Sequence, residues 1–389
     1  MTRKDTKLVQ AGRDPAAHVG AVNTPVYRAS TILFPDVAAL MDNKQPYTYG
    51  RRATPTTRAL EDAVCELEGG ARTVLTPSGL SACTLAVLSV CGAGDHLLVA
   101  DSVYGPTRYF CDRIAKRFGI ETGYFEPCIA PDELAARFRP ETKAVFLESP
   151  GSLTFEVQDV PGIAAAAHDR DIVVILDNTW ATPLYFDAIG HGVDLSVQAA
   201  TKYLGGHADA LAGTVTANAA YKDRLVETHG ALGLTLGGDD AFLVARGLRT
   251  LGARLRRHHE SAMALATWLQ TRPEIARVLY PALPADPGHR LWKRDFTGAT
   301  GLFAAILKPA PDSAIAAFID GLELFGIGWS WGGFESLVAP AHMHRAFAGP
   351  QDEGPIVRFH IGLEDLNDLK EDLEAGLKRL HPAQAAHRG

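Results

Sequence analysis

Short apolar runs alternate with longer amphipathic segments between about residues 60 and 245. The runs are nearly continuous in Val, Ile, Leu and Ala, and most of them end in polar residues or proline. Such runs are typical of strands buried on both faces of a parallel sheet, with helices between them. The clearest runs are RTVLTP (72–77), HLLVAD (96–101), KAVFLESP (143–150), DIVVILDN (171–178) and DLSVQAAT (194–201).

Helical patterns separate and follow these runs. GPTRYFCDRIAKRFG (105–119) and DVPGIAAAAHDR (159–170) lie between strands, and a long helical pattern opens the part after residue 247, before the strand-like GLFAAILK and VRFHIGLED. The first 60 residues lack periodicity and predict an extended arm, and we expect the last residues, HPAQAAHRG, to be frayed. The predicted fold is therefore α/β: an arm over 1–60, a large domain with a mostly parallel sheet and helices on both faces over 61–246, and a smaller α/β domain over 247–389.

Composition narrows the function classes. The chain has 389 residues and a net charge of −7, which argues against nucleic acid and anionic membranes as partners. The opening MTRKDTKLVQAG has no apolar core of a secretory signal, and the longest weakly polar run, ACTLAVLSVCGAG, is too short to span a bilayer. The five cysteines form no C-x-x-C pair, and His258-His259 lacks H-E-x-x-H spacing. His342-Met343-His344 could contact a metal, but a surface loop is the preferred interpretation. A cytoplasmic protein without a metal site is expected.

Chemically capable residues follow the ends of the predicted strands. Ser78-Gly79 follows the first run, Tyr104 the second, Asp177 ends the fourth, and Thr201-Lys202 follow the fifth. In open parallel sheets, ligands bind outside the carboxyl ends of the strands. We therefore expect an anion-binding turn, an aromatic ring, a carboxylate and a lysine to lie at one edge of the sheet.

Each of these residues has an ordinary alternative. Most turns of small residues before a helix bind nothing, Asp177 could cap a helix or pair with a cation, and Lys202 could be a surface residue. Together, however, they match the demands of one cofactor. Pyridoxal phosphate needs a lysine for its aldehyde, an acidic partner for its ring nitrogen, an anion site and a flat face to stack on.

Several blocks resemble the Cys/Met-metabolism family of pyridoxal-phosphate enzymes, which have the aspartate-aminotransferase fold type. The resemblance covers residues 5 to 380 and is strongest in the branch that cleaves cystathionine by β-elimination. It is carried by YGRRATPTTRALE (49–61), TPSGLSA (76–82), LDNTWATP (176–183), QAATKYLGGHAD (198–209) and SWGGFESL (330–337).

The resemblance implies a role for each matching residue. Lys202 would bind the cofactor covalently, Asp177 would pair with its ring nitrogen and Tyr104 would stack on the ring. The remaining implied contacts are Gly79, Leu80 and Thr201 to the phosphate, Tyr49 and Arg51 to the phosphate of a neighbouring subunit, and Arg358 with Ser330 and Trp331 to the substrate carboxylate. One position departs from many relatives: Ala199 stands where they have a serine, which removes one phosphate hydrogen bond.

The activity implied by the resemblance is cleavage of an amino-acid thioether. Cystathionine would give homocysteine, pyruvate and ammonia, with Lys202 as the base and Lys202, Tyr104 or Tyr49 as the proton source for sulfur. The arm would make the protein at least a homodimer, and by family likeness a tetramer. Three alternatives remain open: a γ-lyase or γ-synthase of the same family, a broader cysteine-conjugate β-lyase, and a non-catalytic regulator that binds the cofactor.

Overall fold

The structure, a computed structural model, describes residues 3–380 and contains two sheets. Most of the strands are short and buried, as expected for a sheet covered on both faces. The strands are β1 Arg72–Thr76, β2 His96–Ala100, β3 Glu121–Phe125, β4 Thr142–Glu148, β5 Val173–Asp177, β6 Leu195–Gln198, β7 Gly213–Ala217, β8 Ile275–Leu279, β9 Leu302–Leu307, β10 Gly326–Ile327, β11 Leu337–Pro340 and β12 Ile356–His360.

The α-helices lie between and around these strands. Several begin with a capping side chain or a proline in the first turn, which are ordinary helix-start signals. The helices are α1 Lys4–Gln10, α2 Val37–Asp42, α3 Pro55–Glu68, α4 Gly79–Val90, α5 Gly105–Tyr109, α6 Pro131–Ala135, α7 Val160–His168, α8 Thr182–Tyr185, α9 Lys222–Ala231, α10 Gly238–Leu248, α11 Leu251–Leu269, α12 His289–Asp295, α13 Asp312–Asp320 and α14 Leu366–Leu377.

The larger sheet has seven strands in the order β1-β7-β6-β5-β4-β2-β3. Strands β3, β2, β4, β5 and β6 are parallel, whereas β7 is antiparallel to both of its neighbours. The predicted mostly parallel α/β sheet is therefore confirmed, and each of the five runs named above forms a strand. The register places Glu148 directly beside Asp177 at the carboxyl ends of β4 and β5.

Both faces of this sheet are covered, which explains the continuous apolar runs. In β5, Val173 and Ile175 pack into one core cluster with α4, while Val174 and Leu176 pack into another with α7. Neighbouring side chains of a strand point to opposite faces, so a strand with helices on both sides must be apolar at every position.

The smaller sheet has the order β10-β11-β12-β9-β8. Strand β12 lies between β11 and β9 and is antiparallel to both. Its residues Val357 and Phe359 are fully buried, so the strand position is fixed by core packing. Arg358, on the same strand, thereby has a rigid base from which to reach the larger sheet.

Some local expectations differ from the structure. The N-terminal arm is not wholly extended, because α1 and α2 lie within it, and the expected boundaries at residues 60 and 246 fall inside α3 and α10. The three-part division stays a prediction. The helix expected over 105–119 is instead α5 followed by a π-helical turn, Phe110–Ile114, and a 3₁₀ turn, Ala115–Phe118. The expected frayed end, HPAQAAHRG, lies outside the described residues.

Residues 3–380 contain neither a membrane-spanning helix nor a cluster of metal-binding side chains. None of the helices there combines the length and the apolarity that crossing a membrane would need. Within the same range, no three His, Cys, Asp or Glu side chains are grouped so as to bind a metal ion. All five cysteines have free thiols.

Candidate active site

A cavity of about 850 Å³ lies at the carboxyl edge of the larger sheet and is lined as well by residues from the region of the smaller sheet. It brings together most of the residues expected from the sequence. The predicted residues that line it are Gly79, Leu80, Tyr104, Asp177, Thr201, Lys202, Trp331 and Arg358. Tyr49, Arg51 and Ser330 are not among its lining residues, although Ser330 contacts Lys202.

Lys202 follows β6 and extends its amine into the cavity. Its Nζ donates a hydrogen bond of 2.8 Å to Ser330 Oγ and lies 5.2 Å from the centre of the Trp331 ring. Burial, with the positive charge of Arg358 adding to it, lowers the pKa of Lys202 to about 8, and the charge of Asp177 opposes this. A lysine that releases its proton so readily can act as a nucleophile or a base near neutral pH.

Asp177 ends β5 on the floor of the cavity. Its Oδ1 accepts hydrogen bonds from the backbone N–H and the hydroxyl of Thr179, at 3.0 and 2.5 Å. Among residues 3–380, the one donor to its Oδ2 is a weak one, the Cys83 thiol, with a sulfur–oxygen distance of 3.6 Å. Burial raises the pKa of Asp177. A buried carboxylate whose second oxygen has no strong donor is a suitable partner for a cationic ring nitrogen.

The helix α4 starts at the cavity wall. Ser78 caps it, because Ser78 Oγ accepts the N–H of Ser81 at 3.1 Å. The N–H groups of the first helical turn have no intrahelical partner, so those of Gly79 and Leu80 can bind an anion. A Cβ at Gly79 would lie 2.4 Å from the Cβ of Ala199, so a side chain there would displace the wall. The small residues at both positions keep this anion-binding turn open.

Tyr104 lies on the opposite wall and is fixed through its backbone. Its N–H donates a hydrogen bond of 2.7 Å to Glu148 Oε2. Glu148 was not expected as a site residue, although the rule that selects residues at strand ends applies to it as well. Burial and the neighbouring charge of Asp177 raise the pKa of Glu148 well above its ordinary value. Burial also raises the pKa of the Tyr104 phenol, which keeps it protonated.

Arg358 enters the cavity from β12. Its guanidinium donates hydrogen bonds to the backbone carbonyls of three successive residues, Gly328 at 2.6 Å, Trp329 at 3.2 Å and Ser330 at 3.2 Å. Its Nε is buried without a partner among the described residues. The planar group is therefore fixed by the backbone while part of its donor capacity remains for an acid group.

A buried ion-pair network supports the far wall of the cavity and was not predicted from the sequence. Arg345 pairs with Asp101 at 3.2 Å and with Glu156 at 2.7 Å, and Asp101 also pairs with Arg108. Asp101 follows β2 of the larger sheet, whereas Arg345 lies between β11 and β12 of the smaller one. No local sequence pattern therefore indicates the contact. Thr179 was also missed, although a threonine two residues after an aspartate is a common side-chain turn.

The structure places Tyr49 and Arg51 on the surface, away from the cavity of their own chain. Tyr49 is 47% exposed, and the Arg51 guanidinium lies 5.8 Å from the centre of its ring. Arg51 donates a hydrogen bond of 3.0 Å to the carbonyl of Gly230. Any role of these two residues in a catalytic site requires a second copy of the chain.

Comparison with known proteins identifies the family to which the chain belongs. The sequence model of the family described as Cys/Met metabolism PLP-dependent enzyme matches residues 5–378. The chain belongs to this family. Its cofactor is therefore pyridoxal 5'-phosphate (PLP), as expected.

Relatives support the assignment over nearly the whole chain. Cystathionine beta-lyase of Escherichia coli K12 is 45% identical, with 97% of this chain and 98% of that protein covered. Human cystathionine gamma-lyase is 34% identical, with coverages of 98% and 95%. The crystal structure of metB from Corynebacterium glutamicum superposes with a TM-score of 0.91 at 31% identity, covering 98% and 99% of the two chains.

The residues present fit the cofactor. The buried Asp177 carboxylate, the helix start at Gly79 and the Lys202 amine match the ring nitrogen, the phosphate and the aldehyde of PLP. These three features line one cavity. Asp177 ends β5, Gly79 begins α4 after β1, and Lys202 follows β6. We assign the cofactor contacts to these residues as a proposal.

Proposed function

We propose that the protein is a carbon–sulfur β-lyase that converts L-cystathionine and water to homocysteine, pyruvate and ammonia. The observation that carries this proposal is the placement of a low-pKa lysine, Lys202, between a buried carboxylate and a backbone-fixed arginine in one cavity. The Escherichia coli relative has this activity in its name. Breadth toward other cysteine thioethers depends on the outer pocket and is an outcome of the test below.

The chemistry divides between cofactor and protein. When bound, PLP supplies an electron sink that makes the Cα–H bond of an amino acid acidic. The protein must then orient that bond, remove the proton and supply one to the departing sulfur. Arg358 serves the first task, and Lys202 serves the other two, with Tyr104 as a second candidate for the last.

Arg358 is the residue that orients the substrate. The three backbone carbonyls that accept its hydrogen bonds restrict its plane, so the substrate's α-carboxylate meets a rigid fork. The ammonium of a lysine could not reproduce this geometry, because it is a point charge on a flexible stem. Fixing the carboxylate fixes the direction of the Cα–H bond relative to Lys202.

Lys202 is the base. With a pKa of about 8, a substantial fraction of its amine is unprotonated near neutral pH. The Ser330 hydroxyl keeps Nζ on the side of the cavity nearest the substrate-orienting turn. After taking the Cα proton, Lys202 holds an ammonium proton that it can give to the leaving sulfur. The protonated Tyr104 phenol is the second candidate donor.

The test is to incubate the purified protein with L-cystathionine and identify the keto acid. Pyruvate with homocysteine is the expected result, and a panel of cysteine thioethers would then measure breadth. 2-Oxobutyrate with cysteine would instead place the chain among the γ-lyases, as in the human relative's name. The Lys202→Ala variant is the matched control, since it should bind cystathionine but release no keto acid.

We also propose that the working unit is a homo-oligomer, at least a dimer and by family likeness a tetramer, in the cytoplasm. Tyr49 and Arg51 support this, because they lie outside their own chain's cavity while their sequence block matches the family. Light scattering coupled to size exclusion gives the mass. Full specific activity in a dilute monomeric fraction would contradict the proposal.

A further inference from the structure

Three buried rings lie behind the lysine, outside the cavity. Tyr203, His258 and His360 are each fully buried, and the centres of their rings are 5.2 to 5.8 Å apart. Each imidazole also has a buried ring nitrogen without a partner among the described residues: His258 Nε2 and His360 Nδ1. Unpartnered polar atoms are rare in protein interiors, so this cluster needs an explanation.

The tautomer of His258 follows from its one hydrogen bond. Its Nδ1 lies 2.7 Å from the carbonyl oxygen of Ile361, and a carbonyl can only accept, so Nδ1 carries the proton. Burial lowers the pKa of His258 to about 4, which leaves the ring neutral. Its Nε2 is therefore a lone-pair acceptor that faces no donor.

His360 has two possible bonds but can make only one of them. Its Nε2 lies 3.2 Å from the N–H of Gly332 and 3.1 Å from the carbonyl of Gly333. Burial lowers its pKa to about 3, with His258, Arg358 and Lys202 adding to the effect, so this ring is neutral as well. A bare Nε2 accepts from Gly332, whereas a protonated Nε2 donates to Gly333.

The neighbouring histidine decides between the two tautomers. If His360 carried its proton on Nε2, the N–H of Gly332 would have no acceptor there, and His360 Nδ1 would be a second bare nitrogen in the cluster beside His258 Nε2. If the proton is on Nδ1, the cluster has one bare ring nitrogen instead of two and one more donor. The second arrangement also satisfies the N–H of Gly332.

Gly332 connects the ring cluster to the active site, because it contacts both His360 and the backbone of Lys202. It has a φ of 88° and lies against the lysine's backbone, since a Cβ there would be 2.9 Å from the carbonyl carbon of Lys202. The same turn carries Ser330, whose hydroxyl accepts from Lys202 and whose carbonyl accepts from Arg358. A bond that fixes Gly332 therefore fixes the two contacts of Ser330.

We propose that His360, protonated on Nδ1 and supported by His258, is a positioning residue that fixes the Ser330–Gly333 turn against Lys202 and Arg358. The kinetic part of this proposal rests on the proposed function. The tautomer part does not, because it depends only on the contacts of the folded chain.

The first test reads the tautomer directly. Protein labelled with ¹⁵N in histidine is examined by long-range nitrogen–proton correlation, and the His360 signals are those lost in His360→Gln. We expect the Nδ1–H pattern, unchanged between pH 6 and pH 8. An Nε2–H pattern would overturn the proposal, whatever the enzyme does with cystathionine.

The second test is kinetic. His360→Leu removes the acceptor for Gly332, and we expect KM for cystathionine to rise about tenfold, the usual effect of losing one buried hydrogen bond, with a smaller change in kcat. His360→Gln keeps an acceptor near the Nε2 position and should recover most of the loss. The matched control is His259→Leu, a histidine on the same helix as His258 whose ring bonds to Ala299 instead.

Outcomes of the two tests separate the two proposals. If His360→Leu leaves KM unchanged while the parent protein makes pyruvate, the positioning role is wrong and the β-lyase assignment stands. If the parent makes no keto acid, the proposed function fails and the tautomer measurement still decides the structural part.

Discussion

Lys202 Nζ donates its hydrogen bond to Ser330 Oγ, a residue 128 positions away in the chain. The lysine follows strand β6 of the larger sheet, and the serine lies between β10 and β11 of the smaller one. Ser330 also accepts from Arg358 through its carbonyl. The position of the proposed base and that of the proposed carboxylate clamp are therefore set by the same residue.

Removing the hydroxyl of Ser330 should separate these two functions. Ser330→Ala keeps the carbonyl that binds Arg358 but leaves the Lys202 amine without its acceptor. We expect kcat for cystathionine cleavage to fall about tenfold, the scale of one hydrogen bond to a charged group, with KM changed less. Ser330→Thr retains the oxygen and is the control. Equal kcat in Ser330→Ala and the parent would show that the contact does not matter.

The lowered pKa of Lys202 is testable in cofactor-free protein. Because the amine is buried, and because Arg358 disfavours a second positive charge, the ammonium loses its proton at about pH 8. Arg358→Met removes the repelling charge and should raise the midpoint, while Asp177→Asn removes an attracting one and should lower it. The measurement is the pH dependence of labelling by an amine reagent, read by mass spectrometry of the peptide that contains Lys202. A parent midpoint near 10 would contradict the assignment.

The anion-binding turn at Gly79 should not tolerate a methyl group. In Gly79→Ala the new Cβ would meet Ala199 at 2.4 Å, so the helix start or the opposite wall must move. We expect the dissociation constant for PLP to rise at least about tenfold, in line with the cost of overpacking. The affinity is measured by titrating cofactor-free protein. Gly237→Ala, at a glycine with open space around it, should bind PLP normally.

The sequence predicts the site residues that follow strands of the larger sheet better than those that lie near the smaller sheet. Asp177, Tyr104 and Lys202 follow continuous apolar runs, and the geometry of parallel strands brings such ends together. The strand GTVTA (213–217) gives no such run, because every second residue is a threonine. It lies between β1 and β6 nevertheless, where Thr216 shares a hydrogen bond of 2.7 Å with Thr73 on β1.

The contacts of the residues near the smaller sheet depend on how the two sheets are arranged in the folded chain. No local sequence pattern encodes this arrangement. Ser330 and Trp331 were expected near the substrate through resemblance alone. The bond between Ser330 and Lys202 and the pairing of Arg345 with Asp101 require the folded arrangement of both sheets. The helical segment expected over 105–119 changes from α-helical to π-helical at Phe110, where the sequence has no proline or glycine to indicate the change.

A last prediction concerns stability and a carboxyl group outside the site. Glu68, at the end of α3, is fully buried, and its Oε1 accepts from Ser196 at 3.0 Å and from the Gln198 amide at 2.9 Å. Its Oε2 and the Gln198 Oε1 are both buried without a partner among the described residues. Burial raises the pKa of Glu68 from 4.5 to about 7, against the weaker attraction of Lys4. A neutral carboxyl group leaves no buried negative charge at this position.

The sign of the pH dependence follows. The folded state binds a proton that the unfolded state has released, so this stabilisation is fully present below pH 4.5 and is lost as the pH rises through about 7. Glu68→Gln has the same shape but no proton to lose. We expect its unfolding midpoint to match the parent's near pH 4 and to exceed it at pH 8, by an amount that corresponds to about 3 kcal/mol. Glu66→Gln, exposed on the same helix, is the control, and parallel pH profiles of the parent and Glu68→Gln would show that Glu68 is ionised throughout.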